Sequence, residues 1–269
     1  MLLPLHRFAW CVTLAVTASA CSGSDPATGG RTSRAPSKPP AAATPRVQLV
    51  SINKEDVALQ LRQKLQFARV SGLADPAVTE KVNARLRGAA EELLEDLEQD
   101  LAEVGDPAAA DVTSRTTMMR SHATVGLVNP RMVAVRYRFS VNGADFGAVP
   151  ARAWSVAILD VTTGDDLTTR DLLAPRVRTA QGASDFQKLL ARFSPGRRLC
   201  EDAPNGTRGF TAEEITREKG ALVSIFPTAK GVEFTLGLAK IGYPMVCGGR
   251  TVTIGYTDLK GFLGPALPS

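Results

Sequence analysis

Met132-Val133-Ala134-Val135-Arg136-Tyr137-Arg138-Phe139-Ser140-Val141 alternates in polarity: Val133, Val135, Tyr137, Phe139 and Val141 fall on one side of an extended chain, and Arg136, Arg138 and Ser140 on the other. Successive strand side chains point to opposite faces, so the pattern predicts a half-buried antiparallel strand with its apolar face inward. Upstream, Val78, Val82, Leu86, Ala90, Leu93, Leu97 and Leu101 recur at three- and four-residue intervals, with Asp75 placed to cap a helix, Pro76 in its first turn, and Gly105 and Pro107 to end it. Asn83 sits beside this stripe. A strand with one apolar face and a long helix with one apolar stripe can bury each other. The class expected is α+β: an antiparallel sheet with one long helix packed on a face, plus short helices.

Working outward, Leu59 to Val70 reads as the first strand, and Thr116 to Thr124 as extended chain. Trp154 to Val161 gives another strand, and Thr162-Thr163-Gly164-Asp165 a hairpin turn leading into Asp166 to Leu173. Phe186, Leu189, Leu190 and Phe193 repeat at helical spacing before Pro195 and Gly196. Leu222 to Pro227 and Val232 to Leu238 flank a turn at Ala229-Lys230-Gly231, then Arg250 to Tyr256 alternates and a short closing helix is expected over Asp258 to Leu263. There is no internal repeat.

The ends of the chain speak about location. His6 and Arg7, the apolar run Phe8 to Val16, and small Ala18, Ser19 and Ala20 read as an export signal over residues 1–20. Ala18-Ser19-Ala20-Cys21 resembles a bacterial lipobox, whose cysteine is diacylated and becomes the new N-terminus. A plain secretory signal that leaves a soluble protein is the alternative. Acyl chains contribute about 0.8 kcal/mol per buried methylene, and two or three of them would hold the protein at a bilayer. Ser22 to Arg46, rich in Ser, Thr, Ala, Gly and Pro, reads as a tether whose 25 residues span roughly 25 to 30 Å as a coil. The folded domain is expected over 47–269. With 44% hydrophobic and 22% charged residues in 269, that domain can bury a core, which excludes global disorder. Only the N-terminal stretch approaches the about 20 apolar residues of a spanning helix, which excludes a polytopic membrane protein.

Of four cysteines, Cys11 lies in the signal and Cys21 in the lipobox, leaving Cys200 and Cys247 for the exported domain. Two thiols in an oxidising compartment predict one disulfide, with two buried free thiols as the alternative. Cys and His pairs at zinc spacing, phosphate loops and cofactor motifs are missing, so neither metal nor cofactor is expected. With His6 removed, His122 is the single histidine left, in a Thr- and Ser-rich extended segment. Neither a Gly-x-Ser-x-Gly elbow nor a His-Glu-x-x-His motif accompanies it, so it reads as an exposed strand residue and no catalytic residue is assigned. Asp160, Asp165 and Asp166 resemble paired carboxylates in composition only; the turn explains them.

Glu80-Lys81-Val82-Asn83, Val156-Ala157-Ile158-Leu159-Asp160-Val161-Thr162-Thr163-Gly164-Asp165-Asp166-Leu167 with Asp171-Leu172-Leu173, and Phe226-Pro227-Thr228-Ala229-Lys230-Gly231-Val232-Glu233-Phe234 form an ordered series. Gly242-Tyr243-Pro244 and Ile254-Gly255-Tyr256-Thr257-Asp258-Leu259 complete it. Together they resemble the RsiV-type extracellular domain family, also found beside peptidoglycan deacetylases and in a secreted mycobacterial antigen. The resemblance runs over about Val47 to Pro265 and implies fold more than activity. It implies a domain that senses or binds at the cell surface, with a lysozyme-like protein among conceivable partners; the deacetylase chemistry of those relatives belongs to a separate domain.

Without residues 1–20 the chain carries 31 basic and 27 acidic residues. Nine acidic residues and no basic one fall between Ala89 and Asp111, so the rest of the mature chain is 31 basic against 18 acidic. Glu92, Glu95 and Asp96 are therefore a candidate partner-binding face, set against the plain alternative of a solvated helix surface. The expected function is a membrane-anchored, non-catalytic binding or structural module. Alternatives are a lipid or glycan carrier with an apolar cavity and, third, an envelope hydrolase. Partners expected are the membrane through Cys21, and an envelope protein, lysozyme-like protein or glycan; nucleic acid is not expected for an exported domain without an aromatic-basic motif.

Overall fold

Residues 44–56, 61–104, 117–142, 151–200, 208–217, 222–244, 247 and 249–268 are described in the computed structural model of the chain. The signal, Cys21 with its expected lipid anchor, and most of the tether lie outside them. The alternating stretch becomes β4 (Met132–Asn142), antiparallel to β3 (Thr117–Val128) on one side and β5 (Ala151–Asp160) on the other. Beyond β3 lie β2 (Leu61–Ser71) and the edge strand β1 (Arg46–Asp56), giving the order β1-β2-β3-β4-β5. β2 and β3 are parallel over Leu61↔Thr117 to Lys64↔Arg120. Parallel neighbours need a crossover, and α1 (Pro76–Val104) stands between them in the chain.

α1 starts as its sequence dictates, with Asp75 Oδ1 accepting from Ala77 N at 2.8 Å. Val82, Leu86, Ala90 and Leu94 are buried against the apolar face of β4, where Val133, Val135, Tyr137, Phe139 and Val141 point. The space between helix and sheet is thus filled with side chains. Those of Leu93, Leu97 and Leu101, which belong to the sequence stripe, lie outside the description. Asn83 reaches sideways to β2: its Oδ1 accepts from Val70 N at 2.7 Å and its Nδ2 donates to Val70 O at 3.0 Å. No described helix is long and apolar enough to cross a membrane.

A second sheet, β6 (Val223–Thr228), β7 (Gly231–Leu236) and β8 (Arg250–Gly255), packs with three helices: α2 (Thr169–Leu172), α3 (Ala180–Phe193) and α4 (Ala212–Thr216). Phe186 of α3 meets Phe234 of β7 edge to face, centroids 5.3 Å apart, inside a core that also takes in Leu127, Met132, Ala134 and Ile158 of the first sheet. This corrects the half-buried reading of β4: over Met132 to Tyr137 both faces are buried, because the second sheet covers what the sequence pattern leaves open. Contact is close at Gly126, where an added Cβ would lie 2.3 Å from the Pro227 carbonyl oxygen. β3 shifts register between Val125 and Val128, at that same point.

Two further expectations change. β1 precedes the strand expected first; Val47 packs partly against the first-sheet core, but Leu49, Val50 and Ile52 are exposed, so no sustained period-two pattern marks it. The closing helix over Asp258 to Leu263 is a series of turns instead: Gly261 takes φ +82°, and Leu263 bridges back to Leu173.

α4 carries a capping box, with Glu214 Oε2 accepting from Thr211 N at 2.9 Å and from Arg208 Nη1 at 2.7 Å. The Arg208 guanidinium, followed by the Thr211 backbone, pulls the Glu214 carboxyl down from 4.5 to about 2. A folded-state pKa below the unfolded one gives stability that is complete above about pH 4.5 and is lost as pH falls through about 2. Arg208 is half-exposed, so solvent screening keeps the contribution small. Glu214→Gln should lower the melting temperature at pH 7, and the difference should shrink toward zero as pH falls below about 2; an equal loss throughout would assign the effect to packing rather than charge.

Candidate functional site

The face of the first sheet opposite α1 is only partly covered by the second sheet. Register sets what the uncovered part displays. His122 on β3 lies beside Arg138 on β4, which lies beside Trp154 on β5, forming one row across three strands. The next row places Lys64 of β2, Arg120 of β3 and Ser140 of β4 side by side. Lys64, Arg120, His122 and Arg138 are exposed, and the Trp154 indole is 44% exposed although it is a large apolar group. Together with Gln66 they line a groove of about 790 Å³, whose far wall is Thr235, Gly249 and Thr251 of the second-sheet region. Thr235 and Thr251 face each other with Oγ1 atoms 3.2 Å apart.

Arg136 closes the groove where the sheets meet. It is 9% exposed, its Nη1 donates to Glu233 Oε2 at 2.6 Å, and its guanidinium carbon lies 4.3 Å from the centre of the Phe226 ring. Its Nε is buried without a hydrogen-bond partner among the described residues. At the other end β2 and β3 separate after four register pairs, and side chains take over the bonding of β2. Ser121 Oγ accepts from Gln66 N at 2.6 Å and donates to Gln66 O at 3.3 Å, Gln66 Oε1 accepts from Ala123 N at 3.2 Å, and Tyr137 Oη accepts from Ala68 N at 3.3 Å. Burial pushes the Tyr137 phenol up to about 12, so it stays neutral. Among the described residues Lys64, Arg120 and Arg138 form no ion pair, and no Asp or Glu lines the groove.

Of the residues singled out from sequence, His122 falls in this groove. It lies on an exposed strand surface with no carboxylate partner among the described residues, and its neighbour Ser121 is committed to the Gln66 backbone. Cys200 and Cys247 are joined by a disulfide, Cα atoms 5.8 Å apart. Glu92, Glu95 and Asp96 are exposed on α1, which packs on the opposite face of the sheet from the groove, so the two candidate surfaces are not brought together. Asp160, Asp165 and Asp166 belong to the turn after β5. Asp160 Oδ1 accepts from Thr162 N and Oγ1 at 2.7 and 2.5 Å, Lys81 Nζ lies 2.6 Å from Asp165 Oδ1, and Arg85 pairs with Asp166 at 3.4 Å. The hydrogen bond from Lys81 holds the Asp165 carboxyl below its ordinary value. The residues missed from sequence are Lys64, Arg120 and Trp154. The polar face carrying Arg136 and Arg138 was the available signal, but which strands flank β4 is not written in β4.

A five-stranded, mostly antiparallel sheet with a long helix on one face and a small sheet with short helices on the other is an α+β architecture already known. A crystal structure of a DUF3298 family member from Bacteroides fragilis resembles it at a TM-score of 0.52 and 13% identity, covering 84% of this chain and 96% of that one. A DUF3298 family protein from Pseudomonas aeruginosa gives 0.48 and 13%, covering 85% and 99%. At such identity the likeness to the first is one of fold alone. No protein-family profile matches the chain, and none of the curated proteins does.

Proposed function

We propose that the protein is an exported, lipid-anchored module of the cell envelope, RsiV-like in type, that binds a ligand without transforming it. The groove carries this reading. It offers cations, hydroxyls and an indole to hold a ligand, while the groups a hydrolase needs are not assembled there: His122 has no orienting carboxylate and Ser121 is engaged by backbone. The order of the resembling segments supports the RsiV-like assignment. The Ala18-Ser19-Ala20-Cys21 sequence and the tether behind it support the anchor.

Cys21→Ala is expected to move the protein from the detergent phase to the aqueous phase on partitioning, and mass spectrometry of the wild-type N-terminal peptide should find an acylated Cys21. An unmodified Cys21 ends the anchor proposal. For binding, a pull-down from envelope extract with the full-length protein should retain a component that Arg120→Ala/Arg138→Ala releases. Reversal of Glu92, Glu95 and Asp96 to Lys serves as the comparison on the other face. Hydrolysis of peptidoglycan or ester substrates that disappears in His122→Ala would overturn the non-catalytic reading.

A further inference from the structure

We infer that the groove is a binding site for an anionic glycan, an extended saccharide bearing carboxylate or phosphate groups. The inference rests on the binding-module reading and names its ligand class. Lys64 sits directly beside Arg120 in the sheet register, and a like-charge neighbour costs stability unless something opposes it. Lys64, Arg120 and Arg138 are without ion pairs among the described residues, and the two nearby carboxylates are engaged elsewhere, Glu233 by Arg136 and Glu55 by Arg62. An anion lying along the groove would supply the missing charge.

The rest of the lining points to a sugar. Trp154 stands in the same row as His122 and Arg138, with its indole open to solvent. An indole face offers a flat apolar surface to the C–H face of a pyranose ring while its edge stays in water. Gln66, Ser140 and the Thr235–Thr251 pair supply amide and hydroxyl groups, which can donate to and accept from sugar hydroxyls, a role ammonium and guanidinium groups cannot fill alone. The volume of about 790 Å³ is within the range of small-ligand sites. A second depression of about 380 Å³ shares Lys64 and Arg120 and runs on toward Asn53 and Lys54 of β1, with Glu55 there paired to Arg62 at 3.2 Å; its continuity with the groove suits a chain of several units over a single small anion. A single-stranded nucleic acid would be served by several large stacking aromatics, whereas the described groove residues offer one open indole, Trp154, with the smaller imidazole of His122 in the same row.

The test uses the processed, full-length protein in detergent. Of its two tryptophans Trp10 lies in the signal, so once the signal is removed indole fluorescence reports on Trp154 itself. The probes are hexagalacturonate for carboxylate and phosphomannan for phosphate, with maltohexaose as neutral saccharide, poly-glutamate as an anion without rings, and oligo-dT. At least one anionic saccharide should change the fluorescence and bind about tenfold or more tightly than maltohexaose, with affinity falling as salt rises. Lys64→Ala/Arg120→Ala/Arg138→Ala should weaken it about 30-fold, and Trp154→Ala, followed by calorimetry, about fivefold without weakening poly-glutamate. Circular dichroism of each variant separates lost binding from lost fold. Failure of both anionic saccharides, or poly-glutamate or oligo-dT binding as tightly with no effect of Trp154→Ala, overturns the inference. If the envelope pull-down still retains a groove-dependent component, the ligand class alone falls; if nothing is retained there either, the binding-module reading falls with it.

Discussion

Arg136→Ala is expected to destabilise the protein by about 3 kcal/mol, the low end of what breaking a buried ion pair costs. The guanidinium fills a position between the two sheets that no other described cation reaches, bonded to Glu233 at 2.6 Å and stacked on Phe226. Removing it leaves a carboxylate with three-quarters of its side-chain surface buried and no counter-charge, and opens a void against an aromatic ring. The residual solvent access of Glu233 keeps the cost from the upper end of the range. A second variant separates charge from packing: in Arg136→Met/Glu233→Gln the charges leave together and the volume stays, so most of the stability should return. Urea midpoints of Arg136→Met, Glu233→Gln and the double form a cycle whose coupling should exceed about 1 kcal/mol. A loss well below that in Arg136→Ala would mean that apolar packing around Phe226 joins the sheets without help from the pair.

Reduction of the Cys200–Cys247 disulfide should cost a comparable amount, about 4 kcal/mol by chain entropy for a closed loop of this length. The sequence separation is 47 residues, and both cysteines are buried in the core that contains Phe186 and Phe234. The bridge ties the segment after α3 to the segment leading into β8. Beside it the remaining described link is Arg250 Nη1 donating to Leu199 O at 3.3 Å, part-buried and too weak to replace a covalent tie. The expected result is a clear drop in the denaturation midpoint when reductant is added to the wild type, and none in Cys200→Ser/Cys247→Ser, which should already sit at the reduced value. Equal midpoints with and without reductant in the wild type would show that the bridge adds nothing to the unfolding equilibrium.

Helix α1 and the inner face of β4 could be read from the chain because each buries one face continuously, and burial of one face imprints a 3.6- or 2-residue period on the residues themselves. The turn at Thr162 to Asp165 was legible for a different reason: Gly164 takes φ +73°, a conformation that glycine adopts without strain, and Asp160 closes the turn through its own side chain. Edge strand β1 left no such imprint, since from Gln48 to Glu55 both of its faces meet solvent.

The sequence by itself thus determined the α+β class, the helix that covers the sheet, and the two cysteines left to pair, all consequences of local pattern or of counting. The tertiary structure decided that β2 and β3 run parallel, that a separate small sheet seals the outer face of β4 at Arg136, and that Lys64, Arg120, His122, Arg138 and Trp154 share one open groove. The reason is separation along the chain. Arg136 and Glu233 are 97 residues apart, and Lys64 and Trp154 lie on strands with two others between them, so their meeting depends on which strands become neighbours in space. A strand's own period reports that its face is covered or bare, and carries no record of what covers it.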